Sequence, residues 1–168
     1  VPGVLKAYAN SIVAYSYSKT LSLPGERIGY IAVNPKLHEA HELITALILC
    51  TRILGFVHAP ALMQRIVVKL QNAAVDVKIY KKKRDLLCAG LAREGYQFAK
   101  PEGAFYLFVK SPIPDDVAFV KMLLKKNILV VPGSGFGCPG YFRIAYCVDD
   151  KTIINAIPGF AEAIRECS

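Results

Sequence analysis

Residues 16–30 read Ser16-YSKTLSLPGERIG-Tyr30, with Lys19 set between small hydroxyls and Arg27 eight positions later. This polar cluster stands where an apolar run stops. Ser11 to Tyr17, SIVAYSY, is short, β-branched and aromatic, the pattern of a strand buried on both faces in a parallel sheet. Pro24-Gly25 marks a turn, and Arg27 to Val33, RIGYIAV, reads as a second strand ended by Asn34-Pro35.

From Lys36 onward the period changes. Leu37, Ala40, Leu43, Ile44, Leu47 and Ile48 follow helical spacing, and Gly55 and Pro60 divide the segment into two helices, the second over about 61–73. Asp76 to Glu94 predicts a further helix capped by Gly95. Tyr96–Ala99 and Ala104–Val109 read as strands joined through Pro101-Glu102-Gly103. Asp115 and Asp116 favour the start of a helix ending near Asn127. Ile128–Val131 and Tyr141–Val148 read as strands. A last helix covers about 150–167, with Pro158-Gly159 expected to kink or split it. An α/β part is thus followed by an α+β part whose strands pair antiparallel, with the boundary inside the helix between Asp76 and Glu94.

At 168 residues and 54% hydrophobic content the chain can bury a substantial core, and with 20% charged residues it does not read as disordered. The net charge of +8 is scattered apart from Lys81-Lys82-Lys83-Arg84, which reads as a solvated helix face, so neither a nucleic-acid nor a membrane partner is expected. The most apolar window, Leu43 to Val57, holds Thr45, Thr51 and Arg52 and is too short to span a bilayer. Five cysteines without a C-x-x-C pair suggest reduced thiols in a cytoplasmic protein and neither a zinc site nor a disulfide framework. His38, His41 and His58 form no metal-binding cluster, and no metal is expected. The chain opens VPGVLKAYAN, without Met, and reads as a cut start.

What can Lys19 do? A lysine at the end of a buried strand is costly without a role, and burial favours the neutral, nucleophilic amine. An amine that bonds an aldehyde cofactor, with Ser16, Ser18 and Arg27 donating to a phosphate, suits pyridoxal phosphate. An ordinary lysine in a surface loop fits the same spacing. Gly135 to Gly140 fits G-x-G-x-x-G, but it runs into a strand and contains Pro139, so a dinucleotide site is not expected.

The whole stretch closely resembles the cofactor-lysine motif of the class I/II pyridoxal-phosphate aminotransferases, which runs S-x-S-K, a short turn ending in Gly, then R-x-G. The resemblance implies that Lys19 is the catalytic lysine that anchors the cofactor and that Ser16, Ser18 and Arg27 bind its phosphate. Pro132 to Tyr146, PGSGFGCPGYFRIAY, resembles the family segment whose arginine grips the substrate α-carboxylate, a role that falls on Arg143. Pro101 to Tyr106, PEGAFY, resembles the family's entry into a small-domain strand.

The order of these motifs matches the C-terminal portion of the family. The resemblance implies an α/β fold: residues 1–80 as the remainder of a cofactor-binding large domain and 81–168 as an α+β C-terminal small domain. It also implies transfer of an amino group between an amino acid and a 2-oxo acid in a homodimer. The family's aspartate for the pyridine nitrogen, its asparagine and tyrosine for the ring oxygen and its stacking aromatic have no counterpart here, so the isolated chain is expected to be inactive. A lyase of the same fold and a non-catalytic fragment are the alternatives.

Overall fold

A computed structural model describes residues 3–167. Contacts divide the chain into two compact units, one up to Val75 and one from Asp76, so the division falls before the helix that follows it.

The first unit carries α1 (Val4–Ala7), β1 (Ile12–Ser16), α2 (Tyr17–Thr20), a 3-10 turn at Pro24–Glu26, β2 (Gly29–Val33), α3 (Ala40–Ile53) and α4 (Ala61–Lys69). β1 pairs antiparallel with β2, from Ile12 opposite Val33 to Ser16 opposite Gly29. The expectation of a parallel sheet is therefore wrong for these strands. Parallel neighbours need a crossover that returns to the starting end. Here the connection folds back through α2 and the 3-10 turn, and the Tyr17 N–H donates to the Ile28 carbonyl at 3.2 Å. Nor is β1 buried on both faces: exposed residues alternate with half-buried ones, as on a sheet with one covered side.

Tyr17, Ile28, Met63 and Val67 form the core of this unit, with Tyr15, Leu21, Leu23 and Ala59 packed around them. Met63 and Val67 lie four apart on α4 and so share its inner face. Asn34 does more than end a strand. It is buried, its amide donates to the Leu5 and Tyr8 carbonyls at 2.8 and 2.9 Å, and its Oδ1 accepts from the Lys36 N–H at 3.0 Å. One side chain thus ties the residues before β1 to the exit of β2. α3 buries no residue, and the apolar Ile53 and Phe56 at and beyond its end are 73% and 76% exposed.

The second unit comprises α5 (Val77–Arg93), β3 (Tyr106–Lys110), α6 (Asp116–Lys125), β4 (Val131–Pro132), a 3-10 turn at Gly133–Phe136, β5 (Tyr141–Ala145) and α7 (Asp150–Arg165). Its sheet is antiparallel, in the order β3-β5-β4. Alternation sends Leu107, Val109, Phe142 and Ile144 to a face packed with Leu87, Leu91, Phe119, Leu123, Ile153 and Phe160. Tyr96 completes this core, its rings edge-on to Phe142 and Phe160 and its hydroxyl donating to the Phe160 carbonyl at 2.9 Å. Each helix begins on an aspartate that accepts a backbone N–H: Asp76 from Lys78, Asp115 from Ala118 and Asp149 from Lys151. Gly95 follows the last turn of α5 with φ +88°.

Two expectations fail in this unit, and a third fails in part. Tyr96–Ala99 makes only an isolated bridge, Phe98 to Val109. The strand expected at Ile128–Val131 is reduced to the two-residue β4, which overlaps it only at Val131. Pro158 does not split the last helix, which runs as one element from Asp150 to Arg165. Packing outweighs the lost N–H: Ile153, Phe160 and Ala163 are in the core, and Gly159 lies so close to Ile128 that a Cβ there would meet its Cδ1 at 2.7 Å.

Candidate functional site

The first cluster is built on a single helical turn. Ser16 is the last residue of β1 and the N-cap of α2, and its Oγ accepts from the Ser18 N–H at 3.2 Å. The two hydroxyl oxygens lie 2.9 Å apart. Lys19 follows on the same turn. The sequence therefore brings Ser16, Ser18 and Lys19 together because a strand ends in a serine that can cap the next turn. Lys19 is exposed, so the argument from a buried lysine falls away, and what remains is the local grouping of an amine with two hydroxyls.

Arg27 sits just before β2 with φ 48°, in the left-handed region, and its guanidinium donates to the Pro24 carbonyl at 2.7 Å. A non-glycine residue there is uncommon, and such positions cluster at functional sites. Two residues on, Gly29 pairs with Ser16 in the ladder. A Cβ at Gly29 would meet the Tyr15 carbonyl oxygen at 2.3 Å, so the glycine of R-I-G is a steric requirement of the strand beside Lys19.

Behind the turn lies a cluster of three tyrosines. Tyr15 stacks on Tyr30 with ring centroids 5.2 Å apart and meets Tyr17 edge-on at the same distance. The Tyr15 hydroxyl donates to Thr20 Oγ1 at 2.6 Å, the Thr20 carbonyl accepts from the Val75 N–H at 3.0 Å, and Gln71 Nε2 donates to the Tyr17 hydroxyl at 3.1 Å. The signal available was a tyrosine and a threonine flanking the motif, types that pair once a turn brings them into reach.

Arg143 belongs to the second unit and is described within it. It stands on the sheet face away from the core, opposite Phe108 on β3 and Val131 on β4. Its guanidinium carbon lies 4.3 Å from the centre of the Tyr106 ring and 4.1 Å from that of Phe136, a cation–π contact with each. Phe136 comes from the Gly133–Phe136 turn, where a Cβ on Gly133 would meet the Cys138 and Tyr141 carbonyl oxygens at 2.3 and 2.7 Å. The same turn is tethered at Ser134, whose N–H donates to the Asp116 carboxylate at 2.8 Å. That bond holds Asp116 below the usual carboxylate range, with the Ser134 hydroxyl and the Gly140 backbone adding to it. In the sequence Asp116 reads only as part of a helix start, Tyr106 only as the end of PEGAFY, and Phe136 carries no role of its own. The G-x-G-x-x-G resemblance leads nowhere, since Gly133–Phe136 is a short turn that runs on to β5.

Among the described residues, no three His, Cys, Asp or Glu side chains are grouped to hold a metal, and no helix is long and apolar enough to cross a membrane.

Residues 3–159 match the family model for aminotransferase class I and II. The chain is 30% identical over 168 residues to a probable aspartate/prephenate aminotransferase of Thermus aquaticus, an alignment that takes in 98% of this chain and 43% of that protein. Among solved structures it resembles an aminotransferase from Eubacterium rectale, with 48% identity and a TM-score of 0.89 over 99% of this chain and 42% of that one. It also resembles an aspartate aminotransferase from Thermotoga maritima, with 28% identity and a TM-score of 0.77 over 92% of this chain and 40% of that one. The chain thus spans about two-fifths of the length of these relatives.

Proposed function

The chain belongs to the class I and II aminotransferases, and on that footing we propose that it forms part of an enzyme that moves an amino group between an amino acid and a 2-oxo acid. We take pyridoxal phosphate as its cofactor, residues 1–80 as part of the domain that binds it, and 81–168 as the C-terminal small domain. A cytoplasmic homodimer completes the reading, with five free thiols in keeping with a reducing compartment.

One observation carries the cofactor assignment: an amine and two hydroxyls share a single capped turn, Ser16, Ser18 and Lys19, at the end of a strand held by Gly29. This donor set suits a phosphorylated aldehyde. Lys19 would hold the aldehyde carbon, and the Ser16 and Ser18 hydroxyls with the Arg27 guanidinium would donate to the phosphate oxygens. When bound, pyridoxal phosphate supplies an aldehyde and an electron-accepting ring. As the free amine, Lys19 would take the proton from the substrate Cα and deliver it to the carbon that had been the cofactor's aldehyde, so that the amino group could stay with the cofactor. Arg143 pairs fork to fork with the substrate carboxylate, which fixes the direction of the Cα–H bond.

The test is to add pyridoxal phosphate, reduce with borohydride and locate the modified residue by mass spectrometry. Label on Lys19 is the expected result, and label confined to other lysines overturns the assignment. In a full-length protein carrying this chain, Lys19→Ala should lower kcat by a factor of about 10²–10⁴, the usual weight of a positioned acid–base group.

A further inference from the structure

We propose that Phe136 and Asp116 are positioning residues for Arg143: the Asp116 carboxylate fixes the Gly133–Phe136 turn, and that turn holds Phe136 over the guanidinium so that its N–H edge faces a carboxylate ligand. The proposal rests on the carboxylate role given above to Arg143.

Stacking on aromatic faces engages a guanidinium through its plane and leaves the in-plane N–H donors available. Arg143 lies over two such rings, Tyr106 of the neighbouring strand and Phe136 of the turn. The two holders differ in kind. Tyr106 is fixed by the ladder, since its partner Ala145 lies two residues from Arg143 on the same face. Phe136 belongs to no strand, and its place depends on what anchors its turn.

Two features supply that anchor. Gly133 brings the backbone against Cys138 and Tyr141 more closely than any side chain would allow. Asp116, 4% exposed, reaches from the first turn of α6 to the Ser134 N–H at 2.8 Å, two residues before Phe136. Phe136 is further braced edge-on by Phe108, with centroids 5.9 Å apart. A buried carboxylate outside the candidate site is thus linked to Arg143 through one backbone hydrogen bond and one aromatic ring.

The 168-residue chain allows a direct test. The Arg143 Nε–H proton, close to two aromatic rings, should resonate away from the value of a solvated arginine. Phe136→Leu should move that signal towards the solvated value, and Phe136→Tyr should retain it. Asp116→Ala should reproduce the Phe136→Leu shift without altering any group that touches Arg143, and Asp116→Asn, which keeps an acceptor for Ser134, should restore most of the wild-type signal. A dispersed amide spectrum identifies the variants that fold.

Titration with 2-oxoglutarate, a 2-oxo dicarboxylate, then separates the two ideas. Loss of one stacked ring should weaken binding about two- to fivefold. If Phe136→Leu and Asp116→Ala fold and both leave the Arg143 signal and the wild-type affinity unchanged, the positioning proposal is overturned. If Arg143→Lys binds the oxo acid as wild type does while the Phe136 and Asp116 shifts appear, the carboxylate role fails and the positioning stands.

Discussion

Tyr15 donates its hydroxyl to Thr20 Oγ1 at 2.6 Å, and so spans the turn that carries Lys19 from the strand behind it to the residue that follows. With Ser16 capping the front of the turn and the Thr20 carbonyl taking the Val75 N–H, three contacts fix four residues. Tyr15→Phe removes one half-buried hydrogen bond and should cost about 1 kcal/mol. Amide exchange offers the more direct measurement. The Val75 and Leu21 N–H groups should exchange faster in Tyr15→Phe and Thr20→Val than in wild type, and Thr20→Ser should return them to their original rates.

Gly29→Ala should be the most damaging small substitution in the first unit. The new methyl would meet the Tyr15 carbonyl at 2.3 Å, and backbone cannot swing aside as a side chain can. Overpacking of this kind costs about 1–3 kcal/mol. Because Ser16 is the ladder partner of Gly29, the same substitution should reduce borohydride-trapped cofactor on Lys19. A variant with wild-type denaturation midpoint and labelling would remove the steric reading of the motif.

In the second unit Tyr96 separates packing from hydrogen bonding. Tyr96→Phe keeps the ring edge-on against Phe142 and Phe160 and loses only the bond to the Phe160 carbonyl, at about 1 kcal/mol. Tyr96→Ala also opens a cavity among Phe119, Phe142 and Phe160 and should cost about 3–5 kcal/mol, the range for losing a large aromatic. Urea denaturation followed by near-ultraviolet circular dichroism reads both.

Acid should weaken the second unit in a defined direction. The Ser134 N–H holds Asp116 below its ordinary value of 3.8, and Lys82 does the same for Asp150 through a 2.8 Å contact. A depressed carboxylate contributes stability above its unfolded value, and that contribution is lost as pH falls through the lower folded value. Thermal midpoints should therefore be flat above about pH 5 and fall below pH 4. Asp116→Asn should flatten part of that fall. High salt should diminish the exposed Lys82–Asp150 share more than the buried share of Asp116.

How much of this was legible in the sequence depends on the range of the interaction. The helix start at Asp115-Asp116 and the glycine after α5 are settled within a few residues and were read there. The Ser16–Lys19 turn and the caps Asp76 and Asp149 are as local, yet went unread because the strand pattern ran on through Tyr17 and a lone aspartate is common in loops. The direction of β1 against β2 was not readable, because an apolar run carries no record of its partner. Tyr96–Ala99 has strand composition but lacks a neighbour beyond the Phe98 bridge. Pro158 signalled a break that the packing of Gly159 on Ile128 overrides. The holders of Arg143 were invisible for the same reason: Asp116 and Ser134 are eighteen positions apart, and nothing local in Asp115-Asp116 tells which carboxylate caps α6 and which turns inward. The exposure of Lys19 was misread because the strand before it looked buried on both faces.

The bare apolar flank of α3 makes the chain's behaviour as a colloid a matter of ionic strength. A net charge of +8 keeps copies apart only while their fields reach one another, over about 30 Å at 0.01 M salt and about 10 Å at 0.1 M. Once that range contracts, Ile48, Ile53, Leu54 and Phe56 of one molecule can meet another copy before repulsion turns it away. Turbidity should rise as sodium chloride is added at constant protein concentration, the reverse of what a salt-bridged aggregate would do, and Ile53→Lys should move its onset to higher salt.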